Sequence, residues 1–251
     1  MVTEFNWLEN MPWLRLLAYI FLSTVVLGNI ATYLRKKLDW ADGYSRKINH
    51  FGHMVISTPL LAFLPLHQLL PAICLGSLLV ILIYGVAAQS RVAWVNGIVA
   101  GSLRDRDRPR AKFFFFFPLI SGNVALVTAA FIYPIDLVRL AFFTVAFADG
   151  FAEPIGLKFG SLNSFRVFDP IWGGHNTKSV AGSCAVFFWS LVIALTLLSA
   201  SHDFDVATFS IGIVYAGIIT LIEALSPRGL DNMLLLGFGP LIMLALRRLA
   251  Y

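Results

Sequence analysis

The chain has 251 residues, of which 58% are hydrophobic and only 13% charged, and its mean hydropathy is +0.78. A soluble domain carries about a quarter charged residues, so this composition excludes an enzyme with a polar shell and makes lipid the solvent for most of the exterior. The net charge of +5 does not point to nucleic acid, because the Lys and Arg residues flank apolar segments, where they set topology and meet lipid headgroups.

A membrane span needs about 20 mostly apolar residues. Such windows are predicted at Pro12–Leu34, Phe51–Leu66, Gln68–Gln89, Phe113–Tyr133, Ile135–Gly160, Gly182–Ala200, Val206–Leu225 and Leu230–Leu249. The second is short and is expected to be tilted, re-entrant or continuous with the residues before it. The predicted fold is therefore all-α, a polytopic membrane helical bundle of seven or eight transmembrane helices, in a single domain over residues 1–251. Met1–Asn10 holds Glu4 and Glu9 but no Lys or Arg, so the first stretch is read as a retained helix rather than a signal peptide. Cys74 and Cys184 fall inside apolar windows and are read as packing residues, not as a disulfide or a zinc site.

Fifteen of the 19 basic residues occupy alternate connections. These are Arg35, Lys36, Lys37, Arg46 and Lys47; then Arg91, Arg104, Arg106, Arg108, Arg110 and Lys112; then Lys158, Arg166 and Lys178; and finally Arg228. The connections near Pro65–His67, Pro134–Asp136 and Ser201–Asp205 have none. By the positive-inside rule the basic side is cytoplasmic. Arg15 and Arg139 fit span ends, whereas Arg247 and Arg248 oppose an eight-helix topology.

Four polar features lie on that predicted side. The first is Ser45-Arg46-Lys47-Ile48-Asn49-His50, followed by His53. Arg46 and Lys47 suit either phosphate binding or topology, and two interfacial histidines make a weak metal motif. The second is Ala148-Asp149-Gly150-Phe151-Ala152-Glu153-Pro154, inside a span and running on to Gly156 and Gly160. A carboxylate in a membrane helix costs about 2.5–3.5 kcal/mol on insertion scales, so it marks a function or a buried ion pair. Asp149 and Glu153 share a helix face. Ala148, Ala152, Gly156 and Gly160 form a small-residue stripe that admits another backbone, and Pro154 disrupts the bond to the Gly150 carbonyl.

The third feature is Asn176-Thr177-Lys178-Ser179, leading into Val180-Ala181-Gly182-Ser183. A helix start offers free N–H groups to phosphate. There Lys178 would add charge, Ser179 and Ser183 hydroxyls, and Gly182 room; the simpler alternative is a Ser N-cap with an anchoring lysine. The fourth is Glu223-Ala224-Leu225-Ser226-Pro227, followed by Asp231-Asn232. Asp231 suits an N-cap or Mg²⁺, which takes one or two carboxylates plus substrate phosphates.

Together these pieces, over residues 46–232, resemble the membrane lipid-alcohol kinases: phytol kinase, dolichol kinase and the CTP-dependent diacylglycerol kinases, a group related to the phosphatidate cytidylyltransferases. The resemblance rests on Arg-Lys-x-x-His at 46–50, Asp-Gly-x-Ala-x-x-x-Gly-x-x-x-Gly at 149–160, Lys-Ser-x-Ala-Gly-Ser at 178–183, and Glu-Ala-Leu with Asp-Asn at 223–232. Ala181 stands where many relatives have Glu, Ala148 where Gly is common, and the last motif has one Asp where some relatives have two. The resemblance implies γ-phosphoryl transfer from CTP or ATP to a long-chain isoprenoid or other lipid alcohol, with Mg²⁺ as cofactor. It implies metal ligation by Asp149 with Glu153 or Asp231, and phosphate contacts from Arg46, Lys47, Lys178, Ser179, Gly182 and Ser183. His50 or one of the acids would act on the alcohol, with Glu223 and Asn232 as further candidates. The lipid tail is expected along the Ala148–Gly160 stripe. The expected setting is a multi-pass protein with its site facing the cytoplasm, a bacterial cytoplasmic membrane being favoured. Cytidylyl transfer to phosphatidate is the nearest alternative, and a secondary transporter with an Asp149–Glu153 ion site is the alternative of another class.

Overall fold

A computed structural model describes residues 13–200 and 205–250. The expected span start at Pro12, the Met1–Asn10 segment and residues 201–204 of the Ser201–Asp205 connection lie outside the described residues. The chain divides into two compact units, Met1–Ile120 and Ser121–Tyr251.

The first unit holds α1 (Trp13–Lys37), α2 (Asp42–Phe63), α3 (Leu66–Gln89) and the short α4 (Ala93–Ala100). After a single 3-10 turn at Asp105–Asp107 comes α5 (Ala111–Ile132), which carries the boundary between units. Arg35, Lys36 and Lys37 end α1, where cations favour the negative pole of the helix. Close approach fixes α4 on α1. A Cβ on Gly28 would lie 2.3 Å from the Ile98 carbonyl oxygen, and one on Gly101 would lie 2.3 Å from the Thr32 nitrogen. Ile98 and Val99 complete a buried cluster with Ile83, Tyr84, Ala87 and Ala88 of α3.

In the second unit α6 (Ile135–Phe143), a π-helical segment (Thr144–Asp149) and α7 (Gly150–Phe159) form one continuous run. A hairpin of β1 (Ser164–Phe168) and β2 (His175–Ser179) follows, then α8 (Val180–Ser199), α9 (Val206–Leu225) and α10 (Asp231–Ala250). Helix α8 packs along α9, α7 on α8, and α6 and α9 on α10. Leu137, Leu140, Val145, Tyr215, Ile219 and Met243 are fully buried between them. Asp205 caps α9 through a 2.7 Å bond from the Thr208 N–H, satisfying one donor that the helix leaves unmatched.

Among the described residues six helices are long and apolar enough to cross a membrane: α1, residues His67–Gln89 of α3, α5, α8, α9 and α10. The protein is a multi-pass helical membrane protein, in which the helix satisfies the backbone groups that lipid cannot. Two of the eight expected spans are not among the six. The short second one is indeed continuous with earlier residues, since α2 begins at Asp42 and thereby takes in Arg46 and Lys47. The fifth is divided by the π segment and carries Asp136, Arg139, Asp149, Glu153 and Lys158. Pro154 lies within α7, and the run continues past it to Phe159 despite the backbone bond that proline cannot make. The all-α expectation also missed the β1–β2 hairpin.

Candidate functional site

The second unit gathers four charged side chains from four separate elements. Asp149 ends the π segment, Lys178 is the penultimate residue of β2, Glu223 lies in the last turn of α9, and Asp231 opens α10. Because α8 and α10 begin where α9 ends, the group sits at one end of this helical unit rather than halfway along it. The Lys178 ammonium donates to the Glu223 carboxylate and, at 3.1 Å, to the Glu223 main-chain carbonyl. Burial works against the ammonium, but the combined charges of Glu223, Asp231 and Asp149 hold the Lys178 pKa above its ordinary value. Asp149 and Glu223 are only 6% and 5% exposed, a depth at which charges persist only when paired. With all four ionised the cluster carries a formal charge of −2.

The hairpin that carries the lysine is bonded to the α9–α10 turn by a residue that sequence reading passed over. Asp169, in the hairpin turn, is 2% exposed. Its Oδ1 accepts the N–H groups of Ile171 and Trp172, both at 3.1 Å. Its Oδ2 accepts the Asn176 side-chain amide and the Arg228 N–H, both at 2.9 Å. Burial opposes ionisation of Asp169, yet these donors, the Arg228 N–H foremost, hold its carboxyl below the usual carboxylate range. The signal for the hairpin was in its turn: Gly173 and Gly174 both have positive φ, 72° and 85°, a conformation glycine adopts without steric penalty.

The start of α8 is not the phosphate cradle expected from its sequence. The Val180 N–H donates to the Asn163 carbonyl at 3.0 Å, and the Ala181 N–H to Asn163 Oδ1 at 3.5 Å. Ser179 is the N-cap, its hydroxyl accepting from the Gly182 N–H at 3.1 Å. These donors are thus engaged within the protein, and the capping alternative describes Ser179. A Cβ on Gly182 would lie 2.9 Å from the Ala152 carbonyl, so this glycine admits a helix rather than a ligand. Ser183 Oγ is buried without a hydrogen-bond partner. Nor is the small-residue stripe a groove for a lipid tail. A Cβ on Gly156 would stand 2.8 Å from Ser179 Oγ, and one on Gly160 would stand 2.5 Å from Ser179 Cβ. The stripe is a packing seam filled by the strand-to-helix junction, as the close-approach reading of small residues expects.

The other sequence candidates are placed as follows. Glu153 is half-buried one turn beyond Asp149 on α7. Asn232 follows Asp231, whose Oδ1 accepts the Asn232 N–H at 3.0 Å, and Asn232 Oδ1 is buried without a hydrogen-bond partner. Arg46, Lys47 and His50 belong to α2 of the first unit. Lys47 is 3% exposed, which the surface topology-signal reading did not anticipate. The same helix binds the segment after α4: Ser45 donates to the Gly101 carbonyl at 2.8 Å and Asn49 to Ser102 Oγ at 2.8 Å. At the far end of the second unit, Arg247 pairs with Asp136 at 2.7 Å.

Among the described residues, no group of three or more His, Cys, Asp or Glu side chains is arranged to hold a metal ion. The expected set of Asp149, Glu153 and Asp231 therefore does not form a cage made of protein alone. The donor chemistry fits a looser arrangement. Mg²⁺ takes one or two carboxylates and completes its shell with water and substrate phosphates, and the excess negative charge of the Lys178 cluster suits that form. No protein-family model, curated protein or solved structure matches the chain.

Proposed function

We propose that this protein is an integral membrane phosphotransferase that moves the γ-phosphoryl group of CTP or ATP to the hydroxyl of a long-chain isoprenoid or similar lipid alcohol. The observation that carries this reading is the convergence of Asp149, Lys178, Glu223 and Asp231 from four elements at one end of the second unit. A soluble nucleotide reaches such an end from water, and a lipid reaches it from the bilayer. In this reading that end faces the cytoplasm.

Phosphoryl transfer relies on positioning and on neutralising phosphate charge. Lys178 is the cation for the phosphates, and Glu223 holds its ammonium in place. With the α8 donors engaged internally, Lys178 carries the phosphate contact that Ser179 and Gly182 do not supply. Asp149 and Asp231 would hold Mg²⁺, which when bound with the nucleotide screens the phosphate charge. The alcohol oxygen forms a bond to the γ-phosphorus as the bond to the nucleoside diphosphate breaks, and the hydroxyl proton passes to a carboxylate of the cluster.

The test is product analysis of purified protein with γ-labelled CTP or ATP against phytol, farnesol, polyprenols and diacylglycerol. A phosphorylated alcohol with loss of activity in Asp149→Asn supports the reading. A CDP-lipid plus pyrophosphate would replace it with cytidylyl transfer to phosphatidate. A transporter reading suits a lone intramembrane acid pair, whereas Asp149 here acts on Lys178, Glu223 and their surroundings. Single alanine variants at Arg46, Lys47 and His50 tell whether the first unit contributes to the reaction.

A further inference from the structure

We infer that Asp169 is a positioning residue, which locks the β1–β2 hairpin to the turn between α9 and α10 and thereby sets Lys178 against Glu223. Two five-residue strands make a hairpin that is marginal by itself, so the place of Lys178 depends on what the hairpin is tied to. Asp169 supplies the tie with both oxygens. Oδ1 closes the hairpin's own turn through Ile171 and Trp172, whereas Oδ2 joins Asn176 of β2 to the backbone of Arg228. Asn176 is two residues before Lys178 and so shares its face of the strand. Arg228 lies five residues after Glu223 and three before Asp231 in the chain. The Trp172 indole adds a second tie, donating to the Arg228 carbonyl at 3.0 Å. Thus one residue of the α9–α10 turn, Arg228, is held at both its N–H and its C=O by the turn of the hairpin that carries the lysine.

The division of labour between the two oxygens provides a selective perturbation. In Asp169→Asn the remaining oxygen keeps the bonds of the hairpin turn. The new amide then presents a donor where Asn176 and Arg228 also donate, so the turn survives and the tie fails. Asp169→Asn with Asn176→Asp reverses donor and acceptor between the two side chains and restores one strut, but not the bond from Arg228. The effect on catalysis rests on the phosphotransfer reading; the effect on Lys178 does not.

The experiment is amine-selective acylation of the full-length protein in detergent, with mass-spectrometric quantitation of Lys178 against the exposed Lys158. In the wild type Lys178 is protected. Asp169→Asn is expected to raise the Lys178-to-Lys158 ratio about tenfold, equivalent to about 1.4 kcal/mol in an opening equilibrium, and the double variant to bring it partway back. Trp172→Phe, which removes only the second tie, is expected to raise it about threefold. In an active preparation Asp169→Asn lowers kcat/KM about 10–100-fold, the range for residues that orient a site ligand. An unchanged Lys178 ratio in Asp169→Asn overturns the inference, as does a rise shared by all lysines. A Lys178-specific rise supports it even if the wild type transfers no phosphoryl group, a result that would count against the phosphotransfer reading alone.

Discussion

Removing the cation from the Lys178 cluster and removing one of its anions have unequal consequences, and the difference tests whether the cluster is one electrostatic unit. Lys178→Met takes the formal charge from −2 to −3 and deprives Glu223, Asp149 and Asp231 of the ammonium they share. Stranding a buried charge in this way costs about 3–5 kcal/mol. Glu223→Gln takes the charge to −1 and leaves Lys178 with Asp149 and Asp231. It also keeps the 3.1 Å bond from Lys178 to the main-chain carbonyl of residue 223. Its loss is one charge-assisted bond, about 1.5–3 kcal/mol, offset in part by weaker repulsion among the remaining acids, for a net of about 1 kcal/mol. Each kcal/mol shifts the midpoint of a chain this size by about 2–4 °C. Thermal unfolding in detergent, followed by tryptophan fluorescence, is therefore expected to show a drop of about 6–20 °C for Lys178→Met and about 2–4 °C for Glu223→Gln. The double variant, with both charges gone, recovers part of the lysine loss. Equal drops for the two single variants, or no recovery in the double, would refute the shared-cation account.

Three further expectations follow from local geometry. Gly182→Ala drives a Cβ to 2.9 Å from the Ala152 backbone carbonyl, whereas Gly217→Ala on α9 meets nothing within 4 Å; the first is expected to lose about 1–3 kcal/mol by overpacking and the second to be neutral or slightly stabilising, as read by the same unfolding assay. The Arg247–Asp136 pair has side chains 19% and 39% exposed, so a double-mutant cycle with Arg247→Gln and Asp136→Asn is expected to give a coupling below about 1 kcal/mol after solvent screening. Asp169 has a folded-state pKa below its unfolded value; its stabilisation is full above the unfolded value and is lost as pH falls through the folded one. The gap in midpoint between wild type and Asp169→Asn is therefore expected to hold at neutral pH and to narrow as acidification passes below the ordinary carboxylate range, and a gap that does not narrow on acidification would count against an ionised Asp169.

Hydropathy made six of the spans legible because a lipid-facing helix needs only length and apolar composition, which α1, α3, α5, α8, α9 and α10 have. The expected windows Phe51–Leu66 and Ile135–Gly160 also coincide with helical segments, but they are not among these six: α2 takes in Asp42, Arg46 and Lys47, and the Ile135–Phe159 run is charged and divided by the π segment. Asp149 was legible as a charge in the wrong solvent, and Lys178, Glu223 and Asp231 as polar residues at span ends on one side. Which of them meet was not, because Lys178 is carried to Glu223 by a hairpin whose strands are short, the second of them wholly polar. Asp169 was missed for a related reason. An Asp in a loop is ordinarily solvated, and nothing in its sequence neighbourhood shows that Arg228, 59 residues away, completes its bonding.

The Lys-Ser-x-Ala-Gly-Ser run changes meaning once the hairpin is seen. As a sequence it reads as a phosphate loop with several donors. In the structure Ser179 caps α8, Gly182 lets α8 approach Ala152, and Gly156 and Gly160 make room for Ser179 in return. Two of its residues, Ser179 and Gly182, thus build a tight junction between strand, helix and α7, and Lys178 alone joins the charged cluster. That assignment separates variants at adjacent positions. Ser179→Ala loses an N-cap, about 1 kcal/mol of stability, and leaves the charge of the cluster untouched. Lys178→Met alters that charge while leaving the cap in place. If Ser179→Ala instead abolished nucleotide binding at full stability, the serine would be a ligand and the junction account would fail.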